Sequence, residues 1–176
     1  MRSIRIAYLL PGVLLVGSAW ADAPEVTFTQ PDIDIDKHVP CHFADDEVHV
    51  QIRDNAKAVA KRIVCSSYGK ISGQVAKDGK GQLWLLLRVG QGRGPNAVTE
   101  YLEIYRVTPS ISELYAKTPV SEAVTATERF EYEYKVVPVP SGGIRVELAL
   151  VEKPKAGRYV HPDMRHVIEV RRNGGG

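Results

Sequence analysis

His38, Cys41, His42 and His49 form the densest cluster of metal-ligating side chains in the chain. Imidazole and thiolate suit zinc, but a structural zinc site draws on paired short spacings. This cluster holds one cysteine, and the other, Cys65, lies well downstream without a partner ligand beside it. The pattern reads as surface histidines next to a disulfide, with no metal and no cofactor implied.

The remaining candidates divide between catalysis and recognition. Asp32, Asp34 and Asp36 alternate as at the start of an EF-hand calcium loop. That loop requires Gly at its sixth position and Glu at its twelfth, where this chain has Lys37 and Phe43. An acid-guarded arm or edge strand fits better. Ser66, Ser67 and Ser141 lack a Gly-x-Ser-x-Gly elbow for nucleophilic catalysis. His161-Pro162-Asp163 resembles the tripeptide of J-domain co-chaperones, yet no helical hairpin flanks it, so it reads as a turn before the last strand. Glu131 and Glu133 share one strand face, which alternates with a clean apolar face, so they read as solvated. Gly90-Gln91-Gly92-Arg93-Gly94 could cradle a phosphate only if a helix followed. Pro95 to Thr99 leads into a strand instead, so the segment reads as a mobile hairpin loop or, in its functional version, as a partner-binding loop with Arg93 at its tip. If Leu102 and Ile104 face the core, Tyr101 and Tyr105 stand outside near that loop, with Arg106 beside them. Tyr and Arg are enriched at interaction surfaces; the competing reading is cross-strand packing under the helix. The candidate binding residues are therefore Arg93, Tyr101, Tyr105 and Arg106, with the His38–His49 segment as the alternative location.

These residues need a frame, and Gln82–Val89 supplies its centre. The run Leu83-Trp84-Leu85-Leu86-Leu87 leaves neither side of a strand free to face water. Asp78-Gly79 precedes it and the glycine-rich loop follows, so turn chemistry brackets a central strand. Lys70–Ala76 pairs with it as a hairpin, and Glu100–Val107 follows. Ser112–Lys117 reads as a short edge strand. Thr127–Val137 alternates Phe130, Tyr132, Tyr134 and Val136 with charged residues, and Ile144, Val146, Leu148 and Leu150 alternate after the Ser141-Gly142-Gly143 turn. Arg165–Arg171 is the last strand.

One region carries conflicting signals. Val48, Ile52, Ala56, Val59 and Ile63 have helical spacing. A helix from Asp46 to Val64 would run nearly 30 Å, while the chain from Cys41 to Asp45 reaches only about 14 Å. Such a helix would hold Cys41 away from Cys65, whose Cα atoms must approach within ~7 Å for a bridge. The reconciliation is an extended piece at Glu47–Ile52 and a short helix at about Asn55–Val64, capped by Asp54 or Asn55. A hairpin turning at Asp54-Asn55 accommodates the bridge equally. The expected fold is a β-rich α+β domain: an antiparallel meander or sandwich of about six or seven strands, with one short helix covering the second face of the Leu83–Leu87 strand.

Residues 1–21 read as a signal peptide: Arg2 and Arg5, a short apolar core from Ile6 to Val16, and Ala19-Trp20-Ala21 for cleavage. The core falls short of the ~20 residues of a membrane span. An extended arm, 22–46, a single β-rich domain, 47–172, and a loose tail, 173–176, complete the organisation. The chain has 23 Lys+Arg and 21 Asp+Glu; losing Arg2 and Arg5 makes the exported part neutral. A neutral domain without a dense basic run has no electrostatic footprint for nucleic acid. Export to an oxidising compartment, periplasmic or extracellular, favours a Cys41–Cys65 disulfide. The expected function is binding or inhibition of a protein or another envelope component by surface recognition. The alternative is a small secreted hydrolase whose site assembles from residues distant in sequence.

Overall fold

The computed structural model describes residues 23–31, 40–94, 98–111, 113–123, 129–152 and 167–171. The expected signal peptide (1–21), the Asp32–Asp36 run, His38, His161–Asp163 and the expected tail (173–176) lie outside them.

Two antiparallel sheets make up the structure. Strands β1 (Glu25–Thr29), β2 (Glu47–Asp54) and β3 (Lys57–Cys65) form the smaller one in that order. The larger is an unbroken meander of β4 (Ile71–Lys77), β5 (Leu83–Gln91), β6 (Thr99–Arg106), β7 (Glu113–Ala123), β8 (Arg129–Pro138), β9 (Ile144–Glu152) and β10 (Val167–Val170). The antiparallel, β-rich expectation holds.

β5 is the centre, and its two faces belong to two cores. Leu85, Leu87 and Val89 pack against Val50, Ile52, Ala60 and Val64 of the smaller sheet. Trp84 and Leu86 pack inside the curl of the larger sheet with Leu102, Ile104, Val120, Ile144, Val146 and Ile168. Trp84 and Leu85 to Leu87 are wholly buried.

The expected helix at Asn55–Val64 is not there. Lys57–Cys65 is a strand, and the described residues hold ten strands where about six or seven were expected. The open alternative, the hairpin, is the observed one. Asn55 and Ala56 turn it, both with positive φ (52° and 62°), as a tight right-twisted hairpin requires. Ala60 and Val64 point inward, while Val59 and Ile63 are 37% and 46% exposed. The apolar stripe of helical spacing was therefore a mixture of inward and outward positions. The small sheet does the covering assigned to the helix. It also takes up part of the expected arm, because Glu25–Thr29 pairs with β2.

The hairpin satisfies the reach argument: Cys41 and Cys65 are disulfide-bonded with Cα atoms 5.4 Å apart. β7 is longer than the expected edge strand and lies inside the sheet. Its Pro119 sits beside a bulge, where Glu100 pairs with Ser121 and Tyr101 with Pro119. Proline in an interior strand is tolerated at such an irregularity.

Asp78 closes the curl. Its Oδ1 accepts the backbone N–H groups of Lys80 and Gln82, both at 2.9 Å. Its Oδ2 accepts the Trp84 indole N–H at 3.1 Å and the Gly143 N–H at 2.6 Å. The β4–β5 turn is thereby tied to the β8–β9 turn. Gly143 has φ 93°, and a Cβ there would lie 2.1 Å from the Val170 carbonyl oxygen, so only glycine fits. Burial pushes the Asp78 carboxyl upward, but the bonds from Gly143, Trp84, Lys80 and Gln82 outweigh it and hold its pKa below the usual value.

A candidate recognition surface around Arg93

β5 leaves the core as Gly90-Gln91-Gly92-Arg93-Gly94. Gly92 and Gly94 have φ 96° and 118°, and these left-handed turns fold the loop back on the body. Arg93 therefore does not project from a tip. Its Nη2 donates to Asp45 Oδ1 at 2.5 Å and to Asp46 Oδ1 at 2.7 Å. Its guanidinium lies 3.6 Å from the Phe43 ring centroid and 4.9 Å from that of Tyr68. The hydrogen bond it donates to Asp45, offset in part by desolvation and supported by Asp46, raises its pKa further.

Three segments meet here: the turn at Ala44–Asp46, the turn at Ser67–Gly69, and the loop after β5. Each is tied to another. Asp46 Oδ1 also accepts the Tyr68 N–H at 2.9 Å. The Gly94 N–H donates to the Tyr68 hydroxyl at 3.2 Å. The Ser66 N–H donates to the Asp46 carbonyl at 2.8 Å, and the Ser66 hydroxyl accepts the Gly90 N–H at 2.9 Å. The Cys41–Cys65 bridge staples the first two segments a few residues away. Tyr68 is held at φ 56°, a left-handed conformation that costs a bulky residue energy. The result is two large aromatic side chains fixed on a charged base, with Phe43 41% and Tyr68 45% exposed. His42 packs edge-on against Phe43, with ring centroids 4.4 Å apart.

The other expected binding residues do not join Arg93. Tyr101 is half-buried under the Lys117 ammonium, which sits 4.4 Å from its ring centroid. Tyr105 is buried rather than exposed. Its hydroxyl donates to Glu103 at 2.5 Å, and Arg62 of β3 lies over its ring. Desolvation first, then the Glu103 carboxylate, drives the Tyr105 pKa far upward. The outer face assigned to Tyr101 and Tyr105 is the face that the smaller sheet packs against. Arg106 sits across from Trp84 at the opposite end of β5, bonded to Gln82 and paired with Glu113 at 3.6 Å. Five residues of strand, about 17 Å, separate it from Tyr101.

The alternative location, the His38–His49 segment, supplies Phe43, Asp45 and Asp46. No periodicity marks Phe43 or Tyr68. The available signal was an aromatic residue beside each half-cystine segment, within turn-forming Ser, Gly and Asp. His49 is occupied by Glu47, with Nε2 and Oε1 2.6 Å apart. Among the described residues no group of three or more His, Cys, Asp or Glu could hold a metal ion. Compared with protein-family models, curated proteins and solved structures, the chain gives no significant match.

Proposed function

We propose that this chain is an exported binding protein, of binding or inhibitor type, that recognises a protein of the cell envelope through Phe43 and Tyr68 on their Arg93 base. The observation that carries the reading is two large aromatic side chains, 41% and 45% exposed, fixed in place by a guanidinium bound to two carboxylates. Aromatic residues and arginine dominate the few positions that hold most of an interface's energy. Fixing them in advance reduces the ordering cost of association. The disulfide supports an oxidising, exported setting. Among the described residues no helix is long and apolar enough to cross a membrane.

The test begins with two baits, the wild-type domain and the Phe43→Ala/Tyr68→Ala double variant, in an envelope extract. The proposal expects a protein retained by the first and lost from the second, with both baits melting at the same temperature. The same proteins recovered on both baits would place recognition elsewhere.

A further inference from the structure

At the end of the curl opposite Asp78, its inward face changes character. Trp84 and Leu86 point inward along β5, and the next inward residue is Arg88. Glu100 pairs directly with Ser121, and Ser121 with Glu131. Directly paired residues share a face, so these three line the same mouth. Arg88 spans it, donating from Nε to Glu100 and from Nη2 to Glu131 at 3.0 Å. Glu131 is thus part of an ionic cluster and not the solvated surface residue its alternation implied. A bulge between Glu131 and Tyr132 accounts for the difference. The cluster lines a cleft of about 400 Å³, whose other walls are Lys70, Ile71 and Ser72. That is within the range of small-ligand sites, roughly 300–1,000 Å³, which are frequent at the mouths of curled sheets.

The side chains of Arg88, Glu100 and Glu131 are only 21%, 32% and 29% exposed. Drawing such a triad partly out of water is costly, and apolar residues would continue the core at less expense. The wall carries Lys70 and Arg88 against Glu100 and Glu131, so its charges cancel. An anion entering the cleft meets two carboxylates, and a cation meets a guanidinium and an ammonium. A guanidinium beside carboxylates offers donors and acceptors side by side, and the Ser72 hydroxyl can serve as either. That array matches vicinal hydroxyls, each of which both donates and accepts.

We propose that this cleft binds a neutral saccharide. The site is separate from the Phe43–Tyr68 surface, so either assignment can fail alone. The test is a titration of the oxidised protein with glucose, galactose, N-acetylglucosamine and maltose in turn, read by backbone amide chemical shifts. Saturable shifts at Ser72, Glu100 and Glu131 are expected for at least one sugar, with a Kd on the order of 1 mM or tighter. Glu131→Gln should weaken that binding about tenfold, as should Ser72→Ala if the first variant unfolds. Phe43→Ala/Tyr68→Ala should bind the sugar as wild type does. No saturable shift from any of the four sugars overturns the proposal. So does saturation only by inorganic phosphate or glycine, or unchanged affinity in the Glu131 and Ser72 variants.

Discussion

Replacing Asp78 is the sharpest perturbation available to this fold. Asp78→Ala removes the acceptor for four N–H groups at once. Those of Lys80 and Gln82 sit in a turn that water can reach. The Trp84 indole N–H and the Gly143 N–H are buried and would be left without a partner. Each buried orphan costs about 1–3 kcal/mol, and relief from burying the carboxylate returns part of this. The expected loss is about 3–5 kcal/mol. Asp78→Asn should lose about 2–4 kcal/mol, because its amide would turn a donor toward groups that are themselves donors. The sign of the pH dependence follows from the depressed carboxyl pKa. The Asp78 contribution is complete above the unfolded-state pKa near ~3.9 and is lost as pH falls through the lower folded-state value. The gap between wild type and Asp78→Asn should therefore be constant from about pH 5 to 7 and shrink below about pH 4. Urea melts followed by Trp84 fluorescence measure it, since Trp84 is the one tryptophan beyond Trp20. A loss below about 1 kcal/mol for Asp78→Ala, or a gap that ignores pH, would refute the reasoning.

Other positions give simpler expectations. Oxidised protein should titrate with no free thiol, and Cys65→Ala should destabilise it in denaturant melts by roughly 2–4 kcal/mol through the lost loop constraint. Leu85→Ala, at a wholly buried site, should cost about 2–5 kcal/mol, while Glu133→Ala, exposed on β8, should change the same melts by less than about 0.5 kcal/mol. Ala56→Gly should raise stability by up to about 1 kcal/mol, because relief of the left-handed turn exceeds the entropy cost of glycine; a lower melting midpoint would contradict the turn geometry.

The strands that could be read from the sequence are those whose own residues determine their environment. Leu83–Leu87 is apolar on both sides and is covered on both sides. The alternation in β8 and β9 likewise survives at Tyr132, Tyr134, Val136, Ile144, Val146 and Leu148, but fails at Glu131, beside its bulge, and at Leu150, which is exposed. β3 was hidden because Val59 and Ile63 face solvent and completed a false helical stripe. The length of β7 was hidden by Pro119, whose effect is absorbed at a bulge that no local pattern announces. The site was harder still. Arg93 turns inward because Asp45 and Asp46, far away in sequence, are brought beneath it. Tyr105 is buried because Arg62 of the hairpin covers it. Both outcomes depend on where β2 and β3 dock, which the residues around Arg93 and Tyr105 do not encode.

The central claim concerns where a partner is recognised. Calorimetric titration of the recovered partner against wild type and Phe43→Ala/Tyr68→Ala tests it most directly. The account predicts a loss of at least ~2 kcal/mol, about 30-fold in Kd, with the melting temperature retained. Affinity within about threefold of wild type would contradict it.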